Sequence, residues 1–115
     1  MRDDRARLFD MREAIERIEK YATSREILAQ NELVQTWTLY YLQVIGEAAR
    51  SLSDDFRGRH PEIPWSDVIG MRNVLAHRYF GIDVGLVWDA VERGLPDLKR
   101  QVEAILHELG GAAQP

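Results

Sequence analysis

The feature that most constrains the fold is a helical repeat of apolar residues near the start of the chain. These residues recur at steps of three and four: Leu8, Met11, Ile15 and Ile18. That spacing places them on one face of an α-helix, so we predict a helix from about Arg5 to Tyr21 with this face buried. No segment shows the apolar–polar alternation of a half-buried strand, and the sequence therefore predicts an all-α fold.

Capping signals predict where the next helices begin. Thr23, followed three residues later by Glu26, has the spacing of a capping box and predicts a short turn through Ala29. Asn31 is the predicted N-cap of the longest helix, which ends near Leu52. The apolar face of that helix is predicted to contain Val34, Trp37, Tyr41, Val44, Ala48 and Leu52, widened by Tyr40 and Ile45.

Proline and glycine divide the second half of the chain. Residues 53–64 are predicted to form a loop with one helical turn, and helices are predicted over 64–80, 83–93 and 96–109. Pro64 suits the first helical position, and Gly81-Ile82-Asp83 is predicted to end the first of these helices and to cap the second. Gly94 with Pro96 is expected to force a break or kink. The inward face of the last helix is predicted to contain Leu98, Val102, Ile105 and Leu109.

Composition narrows the class of protein. The 115 residues predict a single domain over 1–115 with a frayed tail at about 110–115. The absence of cysteine excludes disulfides and thiolate metal sites. There is no apolar signal core and no apolar run near the roughly 20 residues that span a bilayer, so we expect a cytoplasmic protein without membrane contact. The net charge of −4 argues against a protein that coats nucleic acid, but it permits a small cationic site.

The residues best suited to chemistry lie between positions 72 and 79, within one predicted helix. At about 100° per residue, Arg72 and Tyr79 are about 20° apart around the helix axis, and Asn73 and His77 are i,i+4 neighbours. The four polar groups therefore share one broad arc. The plainest interpretation of such a set is a surface ion pair, a capped imidazole and a half-buried phenol.

The same groups also suit metal-free cleavage of RNA. A histidine can serve as acid or base near neutral pH, and an arginine offers a planar, permanently charged fork to phosphate oxygens. Asn73 can hold a phosphate or orient the imidazole, and Tyr79 can donate to phosphate or accept a modifying group. One such histidine per chain is too few for concerted acid–base work, which predicts a two-fold homodimer with a composite site.

Two further residues are candidates for supporting roles. Glu47 lies at the edge of the apolar face of the longest helix, where its carboxylate could position Arg72 or simply face solvent. Arg78 belongs to a group of arginines around the motif. We predict no metal and no cofactor, because the three histidines of the chain lie in different elements and no HExxH-type pair occurs.

Four segments resemble, in order, the HepT-like (DUF86) toxins of the HEPN superfamily. They are Leu8–Tyr21 (LFDMREAIERIEKY), Ile45–Leu52 (IGEAARSL), Pro61–Phe80 (PEIPWSDVIGMRNVLAHRYF) and Val87–Gln101 (VWDAVERGLPDLKRQ). The resemblance implies an up-down helical bundle of four to five main helices. It also implies a dimeric, metal-independent RNA endonuclease that acts as the toxin of a HepT/MntA toxin–antitoxin pair.

At the level of residues, the resemblance covers the R-x-x-x-x-H-x-Y pattern. Arg72 and His77 match the family's catalytic arginine and histidine, and Asn73 matches the polar position after that arginine. Tyr79 matches the tyrosine adenylylated by an MntA-like minimal nucleotidyltransferase, the antitoxin. Two alternatives stay open: a non-catalytic, nucleotide- or partner-binding subunit of a nucleotidyltransferase, and a purely structural dimeric bundle.

Overall fold

A computed structural model of the protein describes residues 3–73 and 82–110, and all the regular structure within these ranges is helical. The α-helices are α1 (Asp4–Tyr21), α2 (Arg25–Gln30), α3 (Glu32–Arg50), α4 (Asp54–Arg59), α5 (Trp65–Gly70), α6 (Val84–Asp89) and α7 (Leu95–Glu108), and a π-helical segment, Ala90–Gly94, joins the last two. The predicted all-α bundle is confirmed, and α4 is the helical turn predicted within the loop over 53–64.

Two predicted helix caps are confirmed. The Asn31 side-chain oxygen accepts a hydrogen bond from the backbone N–H of Val34 at 3.1 Å, at the start of α3. The Asp83 carboxylate accepts from the backbone N–H of Leu86 at 3.0 Å, at the start of α6. Each side chain satisfies one of the N–H groups that the first turn of a helix leaves unpaired.

Two other predicted helix starts are wrong by one residue. The cap of α2 is Ser24 rather than Thr23, because the extended backbone of Ser24 lets its hydroxyl accept from the N–H of Ile27 at 3.1 Å. Pro64 is the N-cap of α5 instead of its first residue, because its ψ of 77° is not helical. The helix therefore begins at Trp65.

Helices α1 and α3 run antiparallel and pack extensively on each other. The indole N–H of Trp37, in the first half of α3, donates to the backbone oxygen of Arg17, near the end of α1, at 2.6 Å. Just after α3, the backbone N–H of Ser53 donates to the Asp4 carboxylate at the start of α1, at 3.0 Å. The predicted apolar face of α1 is confirmed, since all four of its residues are fully buried: Leu8, Met11, Ile15 and Ile18.

The buried face of α3 is displaced from the predicted one. Its buried positions are Val34, Thr38, Leu39, Leu42, Ile45, Gly46, Ala48 and Ala49. Trp37, Tyr41 and Val44 are only half-buried, and Tyr40 is 57% exposed. Tyr41 and Val44 still pack against the core from its edge, so the prediction is wrong only for the exposed Tyr40. Aromatic rings with a polar tip suit the boundary of a core.

Of the break or kink predicted at Gly94 and Pro96, the break is wrong, because the backbone stays helical there. Proline lacks an N–H and its ring crowds the carbonyl of the preceding turn. The structure accommodates it with a wider turn, in which the N–H of Leu95 donates to the oxygen of Ala90, five residues back. The backbone thus stays helical from Val84 to Glu108.

The inward face of α7 is confirmed at three of its four predicted positions. Leu98, Val102 and Ile105 are buried, whereas Leu109 is 47% exposed. The prediction for Leu109 was wrong because α7 ends at Glu108. Leu106, one turn earlier, is buried instead.

An ion pair links α7 to α1. The Lys99 ammonium lies 3.0 Å from Glu19 and 3.8 Å from Glu16. The hydrogen bond to Glu19 raises the pKa of Lys99 above its ordinary 10.5, partial burial opposes this, and the nearby carboxylates add to the rise. Lys99 is therefore held in its charged form at neutral pH.

Candidate active site

Helix α3 meets the end of α5 at Gly46. A Cβ atom built on Gly46 would lie 2.7 Å from the backbone nitrogen of Arg72 and 2.9 Å from the backbone oxygen of Ile69. No ordinary side chain fits at those distances, so the two backbones approach as only a glycine allows. The position of Arg72 is therefore set by backbone packing against α3.

The chain leaves the α-helical path just before Arg72. The N–H of Met71 donates to the oxygen of Val68, three residues back, and residues 71–73 form a 3₁₀ turn. A continuous α-helix over 64–80 was predicted, and it is wrong at this turn. A 3₁₀ helix has 3.0 residues per turn rather than 3.6, so the arc estimated at 100° per residue does not apply across Arg72 and Asn73.

Glu47, the residue after the glycine, pairs with Arg72. Its carboxylate oxygen Oε1 lies 3.0 Å from the arginine Nε. The side chains of Arg72 and Glu47 are 34% and 45% exposed, so both groups are reachable from solvent. Of the two alternatives left open for Glu47, the geometry favours contact with Arg72 over a carboxylate that only faces solvent.

The structure brings together part of the predicted set. Arg72 and Glu47 are in contact, and Asn73 follows directly on the same turn with an exposed side chain. His77, Arg78 and Tyr79 lie outside the described residues.

A groove of about 400 Å³ opens beside Glu47 on the outer side of α1 and α3. Its lining is mixed in charge and includes the aromatic ring of an exposed tyrosine: Arg7, Asp10, Tyr40, Gln43, Val44, Glu47, Ala48 and Ser51. Glu47 thus belongs both to the groove and to the ion pair with Arg72. Arg72 itself does not line the groove and is linked to it through Glu47.

Two arginines near the motif in sequence are paired within their own helix. Arg57 contacts Asp54 at 2.5 Å, and Arg59 contacts Asp55 at 3.1 Å, both within α4. Their charges are locally compensated, so they add little to the cationic character of the site. The backbone oxygen of His60 accepts a hydrogen bond from the indole N–H of Trp65, the first residue of α5, at 2.9 Å.

Sequence reasoning missed Gly46. The available signal was a cluster of small residues, Gly46, Ala48 and Ala49, in the half of α3 that also carries Glu47. Small residues within a helix indicate close backbone approach, because no side chain holds the neighbour away. All three are buried in the structure.

These observations define an all-α bundle with an arginine–carboxylate site where α3 meets the end of α5. The profile of the HepT-like family, described as "Ribonuclease HepT-like", matches residues 11–105. The chain therefore belongs to the HepT-like family.

Named relatives cover most of the chain. It is 40% identical over 102 residues to "Probable ribonuclease HepT" of Thermococcus cleftensis, which covers 85% of this chain and 91% of that protein. It is 34% identical over 106 residues to "Putative RNase MJ1380" of Methanocaldococcus jannaschii, covering 90% and 97% respectively. No solved structure matched the chain.

Two features are absent from the part of the chain that the structure describes. No helix within residues 3–73 and 82–110 combines the length and the apolar character needed to cross a membrane. In the same ranges, no three side chains of the His, Cys, Asp and Glu types are grouped so as to hold a metal ion.

Proposed function

We propose that this protein is the toxin of a toxin–antitoxin pair and cleaves RNA as a metal-independent endonuclease. The observation that carries the proposal is the placement of Arg72, whose partly exposed guanidinium is paired with Glu47, a residue that also lines an open groove. Membership of the HepT-like family supports it, as do the ribonuclease names of the relatives. An arginine so placed can meet a phosphate bidentately.

The proposed reaction uses the RNA's own 2′-hydroxyl as the nucleophile. His77 acts as the acid–base group for the attacking or the leaving oxygen, and Arg72 neutralises the charge that develops on the phosphorane. Asn73 holds a phosphate oxygen, with Arg78 as a supporting cation. The 2′-oxygen bonds to phosphorus and the 5′-oxygen leaves, which gives a 2′,3′-cyclic phosphate and a 5′-hydroxyl end.

The proposed site is composite. Base and acid must act in one displacement, and each chain supplies one motif histidine. A two-fold homodimer with the two motifs facing each other would supply both groups. Light scattering at micromolar concentration should return twice the mass of the 115-residue chain, and a monomer would argue against the composite site.

Regulation is proposed to act on Tyr79. A partner nucleotidyltransferase would join the Tyr79 oxygen to the α-phosphate of a nucleoside triphosphate, with pyrophosphate as the leaving group. The added phosphate would pair with Arg72 and repel incoming RNA. Activity would then fall without unfolding.

The toxin role is tested by expressing the protein alone, as wild type and as His77→Ala, and following growth and RNA integrity. Growth arrest with RNA cleavage in the wild type only is expected. Purified enzyme should cut RNA in EDTA and spare a substrate with 2′-deoxy at the scissile position. Cleavage that requires metal, or equal cutting of the deoxy substrate, would contradict the mechanism. Unchanged growth would favour the non-catalytic nucleotide-binding subunit.

The regulatory role is tested by co-expression with a nucleotidyltransferase encoded beside the gene, the partner that this proposal requires. Intact-mass analysis should show an added nucleotidyl group on the wild type and none on Tyr79→Phe. The variant should remain toxic in the presence of the partner. A variant neutralised as fully as the wild type would point to occlusion by a bound partner instead.

A further inference from the structure

We infer that Gly46 and Glu47 act together as positioning residues that hold Arg72 in the orientation needed to receive a phosphate. The catalytic part of this inference rests on the proposed ribonuclease function, while the positioning itself is a property of the fold. Neither residue needs to touch RNA for the inference to hold. Both would act through the guanidinium.

The first contact fixes the backbone of Arg72. The distances from a Cβ at Gly46 are 2.7 Å to the Arg72 nitrogen and 3.0 Å to the Arg72 Cβ. Two of the three closest atoms are backbone atoms, which cannot move aside by changing rotamer. Any side chain at position 46 would therefore displace the turn that carries the arginine.

The second contact restrains the side chain of Arg72. Glu47 approaches the guanidinium at Nε, the nitrogen nearest the chain, at 3.0 Å. A contact at Nε leaves the outer edge, formed by the two terminal amino groups, for a planar fork on a phosphate. Glu47 can therefore orient the arginine without competing for the edge that would bind substrate.

The two contacts come from different directions. Successive residues of an α-helix are about 100° apart around its axis, so Gly46 and Glu47 reach Arg72 at two separate points, one on its backbone and one near the end of its side chain. A long arginine side chain ordinarily gives up rotamer freedom when it binds a ligand. Restraint at both ends reduces that loss before substrate arrives.

The restraint can be measured without any RNA. We would record the NMR order parameter of the Arg72 Nε–Hε group, assigned by its disappearance in Arg72→Lys. The wild type should show an ordered group, and Glu47→Ala should lower its order parameter toward about 0.6 or less, the range of flexible groups. Glu47→Gln keeps an accepting oxygen and should retain part of the order. An equally ordered Arg72 in Glu47→Ala would overturn the positioning role.

Cleavage kinetics test whether the restraint matters for catalysis. Misplacement of a catalytic group by about 1 Å can cost on the order of 10²-fold in rate, so Glu47→Ala should lower kcat by 10- to 100-fold on that scale, with KM less affected. Glu47→Gln should recover part of the loss. Because Glu47 acts through Arg72, adding Glu47→Ala to Arg72→Ala should cause no further loss. Additive losses would show that Glu47 has a role of its own.

The glycine has a matched control. Gly46→Ala should lower kcat and the order of Arg72 together, whereas Gly58→Ala in α4, where an added Cβ would meet no atom within 4 Å, should change neither. Equal behaviour of the two variants would overturn the role of Gly46.

If the wild type fails to cut RNA while the NMR contrast holds, the proposed function is wrong and the positioning of Arg72 stands. If the wild type cuts RNA and the Glu47 variants cut equally well, the proposed function stands and the catalytic part of this inference is wrong.

Discussion

Two ion pairs of the same length join helices in this molecule, and their surroundings differ. Lys99 lies 3.0 Å from Glu19 and links α7 to α1, with Glu16 as a second carboxylate nearby. Arg72 lies 3.0 Å from Glu47, on a 3₁₀ turn whose backbone is packed against a glycine. The first pair links long helices that already share a buried core, and the second restrains one side chain beside a groove.

The difference shows that the length of an ion pair says little about its role. A partly exposed pair contributes at most about 1 kcal/mol to stability, so neither pair should determine whether the chain folds. What separates the two pairs is the element that carries each cation. Lys99 belongs to the long helix α7, whereas Arg72 belongs to a 3₁₀ turn. If this comparison is correct, removing Lys99 should affect stability alone, and removing Arg72 should affect activity alone.

The largest expected effect is a loss of stability on substitution in the buried core of α1, the helix that carries Glu19 of the first pair. Ile15 of α1 is fully buried, and Ile15→Ala should lower the free energy of unfolding by about 2–5 kcal/mol through lost burial and a cavity. Urea denaturation would measure it, with Ile15→Val as a milder control at about 0.5–1.5 kcal/mol. A loss smaller than that of a Lys99 variant would mean that electrostatics, rather than burial, holds α1 in place.

The next effect concerns the second pair. Arg72→Ala should reduce RNA cleavage by about 10²–10³-fold, the usual result of removing one group that stabilises developing charge. Its free energy of unfolding should change by no more than about 1 kcal/mol, because the side chains of Arg72 and Glu47 are 34% and 45% exposed. Cleavage assays and thermal unfolding on the same preparation test both halves. A large drop in stability with intact specific activity would reverse the comparison.

A smaller effect is expected at the first pair. Lys99→Met keeps the apolar stem and removes the charge, so it should lower the free energy of unfolding by about 0.2–1 kcal/mol. RNA cleavage should be unchanged. Any loss of cleavage in the folded variant would show that α7 communicates with the site.

The smallest effect is the pH dependence of that loss. The folded pKa of Lys99 lies above 10.5, so its contribution is complete below the unfolded pKa and is lost as pH rises through the folded value. The stability difference between wild type and Lys99→Met should therefore be constant near neutral pH and shrink above about pH 10.5. Urea titrations at several alkaline pH values would measure this. A difference that grows with pH would contradict the assigned cause.

Much of the fold could be predicted because its signals are local. The face of α1 follows from its repeat, and the caps at Asn31 and Asp83 follow from side-chain chemistry within three residues. The errors fall where a tertiary contact decides. Tyr40 is apolar enough to suit a core, but its exposure depends on which neighbours α3 meets.

The site was predictable only in part. Sequence spacing selected Arg72 and offered Glu47 as a possible partner, but the ion pair depends on two elements that are far apart in the chain. The 3₁₀ turn at 71–73 could not be predicted from periodicity, because the packing against Gly46 acts on its backbone. The roles of His77, Arg78 and Tyr79 remain predictions from the motif.

The π-helical segment before α7 holds one residue more than a regular helix needs between α6 and α7. The N–H of Leu95 reaches back five residues to Ala90 instead of four, so the turn contains one residue more than an α-helical turn. Deleting a single residue from 90–94 would let the backbone close as a regular α-helix. The wide turn takes up its extra residue locally, so every later position would keep its direction relative to α6, and the apolar face of α7 and Lys99 would still face α1. A deletion within α7 itself would instead rotate the positions after it by about 100°, so we expect a one-residue deletion to be tolerated at 90–94 and to disrupt the α7–α1 interface when it is made in the first turn of α7.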